Sequence, residues 1–357
     1  MGMDGKLIYG IQQIGVGVDD AEKGFEWYAK TLGADLCIFD DNNEATFMAK
    51  YMGGEPRAKR AILAMNAQGG SGYEIWQHTG RTPLTIEEPV QLGDLGINIA
   101  KIKSQNIQAS YDRLKGKGVT ICTPINEEAD GSKGFYIKDP WDNILQIKEF
   151  DSWLKKSKFD VGGICGATLG VSDIDQSLKL YSDILGYDQI VYDETGTFED
   201  LKGLNNGEGK FRRILLTHKK DRTGGFYPLL GDGQIELIQA LDRTPKTLFE
   251  GRFWGDVGFI HLCFDIRNMN ALVEECKEKN YPFQVLSSEH FDMGDANGHW
   301  GYIEDNDGTL IEFVETHKVP LIKKINWSIK LKNRDPHKPL PGFILKAMAI
   351  TKRKKFD

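Results

Sequence analysis

Residues 74–83 read EIWQHTGRTP, and residues 236–245 read ELIQALDRTP. A glutamate, a glutamine and an Arg-Thr-Pro recur in the two stretches at the same internal spacing, 162 residues apart. Chance and shared strand propensity explain this match poorly, so the chain contains an internal repeat whose copies can be compared with each other. The repeated arginines, Arg81 and Arg243, are predicted to brace this turn rather than to bind a substrate.

The repeat extends upstream of this decapeptide. Residues 14–36 read IGVGVDDAEKGFEWYAKTLGADL, and residues 167–189 read ATLGVSDIDQSLKLYSDILGYDQ. In the first copy, alternating apolar residues predict a strand with one apolar face, Asp20 is typical of a helix N-cap, and Gly33 is typical of a helix end. The same two signals occur in the second copy at Asp173 and Gly186. Each copy therefore predicts a strand followed by a helix.

A weaker version of the pattern occurs again within each half. Residues 96–102 and 258–266 predict strands, and each is followed by an apolar stripe typical of a helix. Both halves close on an aspartate-rich turn and a final strand, which read GFYIKDPWDNILQIKEF from Gly134 and WGYIEDNDGTLIEFVE from Trp300. The predicted unit is β-α-β-β-β, repeated four times.

The composition excludes several classes of protein. A chain of 357 residues with 40% hydrophobic and 27% charged residues can bury two ordinary cores. A formal charge of −7 disfavours nucleic acid as the main partner, and no apolar run approaches the ~18 residues that a membrane span requires. The five cysteines form no CxxC pair, which disfavours a disulfide framework or a thiolate zinc site. We therefore expect a cytoplasmic protein of two domains.

The repeat pattern resembles that of the vicinal oxygen chelate superfamily, which includes glyoxalase I, methylmalonyl-CoA epimerase, extradiol dioxygenases and bleomycin-resistance proteins. The resemblance covers roughly residues 7–316. It is carried by the opening strand and helix, the IEL strand at Ile235, the HLCFDI strand at His261 and the DNDGTLIEF closure at Asp305.

The resemblance implies an α+β fold in which four βαβββ units form two glyoxalase-like domains. In that superfamily, mixed sheets form a cup around a divalent metal, and the helices pack outside. We expect an N-terminal domain over residues 7–150 with a degenerate ligand set and a C-terminal domain over residues 160–317 as the metal-binding candidate. Residues 318–357 have no counterpart in the superfamily and are interpreted as an extension that packs on the chain or supports a homodimer.

Strand alternation places several polar side chains on the concave face of these sheets. His261 points away from Ile260 and Leu262, which share the opposite face. By resemblance, the metal ligands come from the first and a later strand of one unit and from the first and last strands of its partner. The positions this implies are Gln13 and Glu74 in unit one, Asn98 or Ile99 and Gln146 in unit two, Gly166 and Glu236 in unit three, and His261 and Glu312 in unit four.

Two ways of pairing the units remain open. Pairing within each domain would combine Glu236, His261 and Glu312, and we favour it because the linkers would be shorter. Pairing across the domains would combine Gln13 and Glu74 with His261 and Glu312, a quartet similar to that of the zinc-type glyoxalase I. His261 and Glu312 belong to both sets.

The resulting donor set points to metal-dependent carbonyl chemistry. One imidazole with carboxylates and an amide oxygen suits Zn²⁺, Mn²⁺, Co²⁺, Ni²⁺ or Fe²⁺ with open coordination positions. We predict an isomerase or lyase of the glyoxalase or epimerase type that forms a metal-stabilised enolate of a small carbonyl compound or thioester. Glu312, or whichever of Glu74 and Glu236 completes the site, would remove the proton. The alternatives are a dioxygenase of the same fold and a non-catalytic protein that binds a small molecule.

Overall fold

A computed structural model describes residues 5–218, 222–288, 291–293, 296–322, 327–332, 334–347 and 352. The chain forms four successive strand-helix-strand units, which assemble into two mixed sheets curled into half-barrels with helices on their outer sides. The predicted α+β class and the fourfold unit are confirmed. Among the described residues, no helix is long and apolar enough to cross a membrane.

The elements follow one another in the order of the repeat. Unit one contains β1 (Leu7–Gly17), α1 (Ala21–Leu32), β2 (Leu36–Glu44), β3 (Ala58–Met65) and β4 (Gly72–His78). Unit two contains β5 (Gly96–Ser104), α2 (Ile107–Gly116), β6 (Thr120–Ile121), β7 (Asn126–Glu127), β8 (Lys133–Lys138) and β9 (Ile144–Glu149). Unit three contains β10 (Val161–Gly170), α3 (Ile174–Tyr181), β11 (Gln189–Gly196), β12 (Phe211–Thr217), α4 (Tyr227–Leu230) and β13 (Gln234–Ala240). Unit four contains β14 (Gly258–Arg267), α5 (Met269–Glu278), β15 (Val285–Leu286), β16 (Phe291–Met293), β17 (Ala296–Glu304) and β18 (Leu310–Ile322). The described part of the extension adds β19 (Trp327–Lys330) and α6 (Gly342–Ala347).

The predicted helix caps are in place. The carboxylate of Asp20 accepts hydrogen bonds from the backbone N–H groups of Glu22 and Lys23, and Gly33 ends α1 with a φ of 72°. Asp173 caps α3 in the same way. Helix α3 ends at Tyr181 rather than just before Gly186, because the amides of Asp183 and Leu185 bond to carbonyls five residues back and interrupt the regular helical pattern.

The units pair across the two halves of the chain. One sheet runs in the order β15-β17-β18-β14-β1-β4-β3-β2, so that unit four joins unit one through the antiparallel pair β1 and β14. The other runs in the order β11-β12-β13-β10-β5-β9-β8-β6, so that unit three joins unit two. Our preference for pairing within each domain, based on linker length, is therefore wrong. We call the concave face of the first sheet cup one and that of the second sheet cup two.

Two equivalent contacts stabilise this pairing of units across the two halves. The carboxylate of Asp256 accepts hydrogen bonds from Arg81 and from the backbone N–H of Leu84, and Asp94 likewise binds Arg243 and the backbone N–H of Lys246. Each arginine thus ties the segment that follows β4 or β13 to the entry of its partner unit. The two arginines do brace the repeated turn, as the sequence predicts.

Glycine permits two backbone segments to approach closely at each of these contacts. A Cβ at Gly17 would lie 1.9 Å from the carbonyl oxygen of Asp256, and a Cβ at Gly170 would lie 1.9 Å from that of Asp94. Such distances exclude any side chain without a backbone shift. Gly17 and Gly170, at the ends of β1 and β10, therefore allow the backbone to approach the segment that enters the partner unit.

The extension packs on its own chain. Strand β19 pairs with β18. Leu331, Leu340 and Leu345 are buried against Leu63 on β3 and Leu229 in α4, which belong to different halves of the sequence. The described part of the extension therefore helps to join the halves. Its remaining residues lie outside the described part of the chain.

Candidate metal centre

Three carboxylate and imidazole side chains meet on the concave face of cup one. Ligand atoms of Glu74, His261 and Glu312 all lie within 4.8 Å of one another. They come from β4, β14 and β18, and β1 joins β4 to β14 in the sheet. The imidazole Nε2 of His261 lies 3.1 Å from a carboxylate oxygen of each glutamate. The chain thus brings together residues that are up to 238 positions apart.

Gln13 completes this group. Its Nε2 donates to Oε2 of Glu74 at 3.0 Å and to Oε2 of Glu312 at 3.3 Å. Its Oε1 is buried and has no hydrogen-bond partner. The two amide atoms exchange places on a half-turn of the side chain, which would point the oxygen at the same location. The sequence-predicted quartet of Gln13, Glu74, His261 and Glu312 is therefore assembled.

The imidazole of His261 is fixed by the strand beside it. Gly15 on β1 is its partner across the antiparallel pair, and a Cβ at Gly15 would lie 2.4 Å from Cε1 of the ring. The histidine is fully buried, yet neither of its ring nitrogens has an aligned hydrogen-bond partner. A buried imidazole without an aligned hydrogen bond, close to two carboxylates and an amide, is an arrangement of ligand atoms that fits a divalent cation.

The electrostatics of the cluster also favour a positive charge. Burial alone would lower the pKa of His261, but the neighbouring carboxylates of Glu312 and Glu74 raise it to about 9. The two glutamates are only slightly exposed, at 9% and 14% of their side chains. The single positive charge of the protonated imidazole offsets only part of the negative charge of the two carboxylates.

Aromatic rings surround the cluster. The indole of Trp254 lies nearly parallel to the His261 ring, with centroids 6.0 Å apart, and Tyr302 meets it edge-on at 5.6 Å. Trp76, two residues after Glu74 on the same face of β4, packs against Trp254 at 4.6 Å. Burial, with the nearby charges of Glu312 and Glu74, holds the pKa of Tyr302 well above its usual value of 10.

Glu236 lies in cup two, away from His261. Its carboxylate accepts hydrogen bonds from Lys101 and Arg213 at 2.7 Å each, and also from Thr168 and Tyr192. Burial alone would raise the pKa of Glu236, but Arg213 and Lys101 hold it well below its usual value. The expected set of Glu236, His261 and Glu312 is not assembled, because β13 and β14 belong to different sheets.

Lys101 is the residue that the sequence reasoning missed. Its Nζ lies 2.7 Å from Glu236 and 2.6 Å from Oε1 of Gln146. These two partners occupy the positions that Glu74 and Glu312 occupy in cup one, as the strand registers show. The ammonium of Lys101 thus stands between the counterparts of two metal-ligand candidates. The sequence did offer one signal for Lys101, since it is a charged residue within the otherwise apolar run IAKI at residues 99–102.

The remaining positions of cup two carry no donors. The counterpart of Gln13 is Gly166, and that of His261 is Ile99. Gln146 and Asn98 are both buried; the first binds Lys101, and the second binds the backbone around Asp94. Among the described residues, therefore, only cup one gathers three histidine, cysteine or carboxylate ligands within reach of one ion.

Comparisons with known proteins agree with this architecture. Two models of the Glyoxalase/Bleomycin resistance protein/Dioxygenase superfamily match residues 10–147 and 167–299. No curated protein matches the chain. Among solved structures, a Bacillus subtilis protein described as a candidate dioxygenase is similar at 16% identity and a TM-score of 0.56, covering 87% of this chain and 86% of that one.

Glyoxalase I from Zea mays is similar over the same share of this chain. Its TM-score is 0.53 at 13% identity, and the similarity covers 87% of this chain and 92% of the maize protein. At these identities the likeness shows the fold alone. The two family matches together span most of the sequence and coincide with its two repeated halves. This chain therefore belongs to the glyoxalase/bleomycin resistance protein/dioxygenase superfamily, as a two-domain member.

Proposed function

We propose that this protein is a divalent-metal-dependent isomerase or lyase of the glyoxalase type. The observation that supports it most directly is the convergence of Gln13, Glu74, His261 and Glu312 in one cup. Zn²⁺, Mn²⁺, Co²⁺, Ni²⁺ and Fe²⁺ all accept such a mixture of amide, carboxylate and imidazole ligands. The similarity to the maize protein named glyoxalase I agrees with this class of reaction.

The proposed chemistry divides between the ion and the side chains. A divalent ion held by the quartet would bind adjacent oxygens of a small carbonyl compound or thioester and stabilise the negative charge that develops on deprotonation. Glu312 would take the proton from the carbon next to the carbonyl at one of its carboxylate oxygens. Trp254 and Tyr302 would exclude water from the reacting atoms. Glu236 is unsuited to the role of base, because four donors already occupy its carboxylate.

The first test is the metal content of the purified protein. We expect close to one bound ion per chain in the wild type and its loss in His261→Ala and Glu74→Gln, measured by elemental analysis after dialysis. Glu236→Gln is the matched control, since it changes the equivalent glutamate of cup two. This control should keep its metal. Metal-free wild-type protein would contradict the proposal and favour a non-catalytic binding protein.

The second test measures removal of a proton from a substrate carbon. In deuterated water, the metal-loaded protein should exchange the C–H hydrogen of an α-hydroxycarbonyl compound such as hydroxyacetone or 2-hydroxyacetophenone, as followed by proton NMR. Glu312→Gln should lower the exchange rate by at least about a hundredfold. Substrate-dependent oxygen consumption without such exchange would instead point to dioxygenase chemistry. The single histidine of the quartet disfavours that outcome, since the dioxygenases of this superfamily are expected to use two histidines and one glutamate.

A further inference from the structure

We propose that the substrate carries an uncharged aromatic group beside its metal-binding oxygens. This inference rests on the proposed function and specifies the class of molecule that the same site takes. It is drawn from the walls of cup one: two buried tryptophans near His261, the apolar side chains beside Glu74, and the pairing of the nearby cations.

The first wall consists of the buried rings near His261. Trp254, Trp76 and Tyr302 are exposed by 7%, 1% and 3%, respectively, and form one apolar cluster with Met48 and Met52. The methionines belong to the short helical turn Thr46–Tyr51 and the residue after it. Unbranched thioethers adapt their packing and make favourable contacts with aromatic rings. Met48 and Met52 are therefore the side chains that can make room for a planar group next to the tryptophans.

The repeat supplies an internal comparison for this wall. At the repeat spacing of 162 residues, Trp254 corresponds to Leu92 and Trp76 corresponds to Ile238. Leu92 and Ile238 are just as buried in cup two, where they pack in a cluster of their own. Core packing at these positions is thus satisfied by aliphatic residues. The two indoles occur only in the cup that gathers the metal-ligand candidates.

The second wall lies on the other side of Glu74. Leu63 is the cross-strand partner of Glu74, and Phe39 is the partner of Leu63. Phe39 packs against both the tryptophan cluster and the leucine cluster that includes Leu340 of the extension. Apolar side chains therefore flank the carboxylate of Glu74 in both directions.

The cations near cup one have partners. Lys59 binds Asp41 at 2.7 Å. Lys50 binds Gln284 at 2.6 Å and lies 3.6 Å from Glu304.

Two arginines of the same region are also engaged. Arg57 donates to the carbonyl of Met52 and stacks over Phe253, and Arg81 binds Asp256. Lys50, Lys59 and Arg81 thus each lie within ion-pair distance of an acidic side chain, and the guanidinium of Arg57 is occupied by a backbone carbonyl and the ring of Phe253. A charged substituent would lose its hydration without gaining a partner, so the cup favours an uncharged ring.

Three hydroxamates test this inference, because each presents the same two chelating oxygens. We would titrate the Zn²⁺-loaded full chain with benzohydroxamate, acetohydroxamate and 4-carboxybenzohydroxamate and measure the dissociation constants by calorimetry. Burial of a phenyl ring in place of a methyl group should tighten binding about 30-fold. The added carboxylate should weaken it by at least about tenfold.

Variants test whether the aromatic side chains of cup one cause the preference for a phenyl group over a methyl group. Trp300 is partly buried against the same cluster, with its ring 5.8 Å from that of Tyr302. Trp254→Leu and Trp300→Leu should lower the ratio of phenyl to methyl affinity several-fold, while Trp141→Leu, whose indole lies beside Asp19 and Tyr28 outside cup one, should leave it unchanged. A ratio near one in the wild type, or tighter binding of the carboxylated probe, would overturn the inference. The Zn²⁺ content of the wild type, measured beside each titration, separates the two proposals. Wild-type protein that binds no Zn²⁺ contradicts the proposed function, whereas Zn²⁺-loaded protein with a phenyl-to-methyl ratio near one overturns this inference alone.

Discussion

Gly15 determines where the imidazole of the candidate site can lie. A methyl group there would come within 2.4 Å of Cε1 and 2.6 Å of Nδ1 of His261, so Gly15→Ala must displace the ring. We expect this variant to lose about 1–3 kcal/mol of stability from overpacking and most of its affinity for divalent metal. Thermal unfolding and equilibrium dialysis against Zn²⁺ measure the two effects.

The control for Gly15→Ala is Gly196→Ala at the end of β11. Nothing lies within 4 Å of a Cβ at that position. This variant should keep both the melting temperature and the metal affinity of the wild type. An unchanged metal affinity in Gly15→Ala would mean that the ring has no fixed role in metal binding.

Single residues of the site could be predicted because a strand fixes which face each side chain occupies. His261 and Glu312 alternate with apolar neighbours, which places them opposite the core face, and the family resemblance implied that this opposite face lines a cup. Lys101 was missed because the reasoning sought ligands for a cation and not a cation supplied by the chain. An ammonium between Glu236 and Gln146 can be recognised only once the strands are aligned.

The pairing of elements was harder to predict from the sequence. The repeat places an arginine and an aspartate in both halves, and Arg81 could in principle bind Asp94 as readily as Asp256. Complementary contacts that are present in every copy satisfy either arrangement. The structure selects the crossed one, where β1 lies beside β14 over its whole length. Linker length misled because the two linkers that join consecutive, unpaired units are held against each other by these same aspartates.

The turn between β7 and β8 carries two carboxylates with opposite pH behaviour. Burial and the nearby charge of Asp200 raise the pKa of Glu128 to about 7. Its contribution to stability is therefore full below pH 4.5 and is lost as the pH rises through 7. Glu128→Gln should be more stable than the wild type at pH 8, by roughly 3 kcal/mol at most, and should show no such gain at pH 4.5.

Asp130 provides the contrast for this prediction. Burial would raise the pKa of Asp130, but its ion pair with Lys148 at 2.7 Å lowers it to about 2. Its stabilising contribution is present above pH 3.8 and is lost as the pH falls through 2. Asp130→Asn should therefore be less stable than the wild type at pH 8, where Glu128→Gln is more stable. Urea unfolding at pH 4.5 and 8 measures both variants, and equal shifts at the two pH values would contradict the assignment for Glu128.

At the scale of the whole molecule, each cup is built from both halves of the chain. A fragment of residues 1–156 contains Gln13 and Glu74, and a fragment of residues 157–357 contains His261 and Glu312. We expect neither fragment alone to bind Zn²⁺ with the affinity of the full chain, and we expect co-expression to restore binding. Full affinity in the C-terminal fragment alone would contradict the crossed site. Calorimetric titration of the separate and the co-expressed fragments distinguishes these outcomes.

The described part of the C-terminal extension, residues 318–357, also packs on the assembled molecule as a whole. The sequence could show only that residues 318–357 lack a counterpart in the superfamily that the repeat resembles. Its packing depends on surfaces that the repeat units leave uncovered, since Leu340 and Leu345 are buried against side chains of both halves. An uncovered surface of this kind arises from the assembled fold and has no signature in the local sequence. The homodimer expected as an alternative stays a prediction.

Lys101 has a consequence for how the molecule depends on its surroundings. An ammonium that is part of the polypeptide cannot be withdrawn by a chelator, diluted away or exchanged for a competing element. The pair of Lys101 with Glu236 in cup two therefore needs no ion from outside the chain. With the proposed metal bound in cup one, only that one of the two pseudo-symmetric cups would depend on an ion from outside the chain.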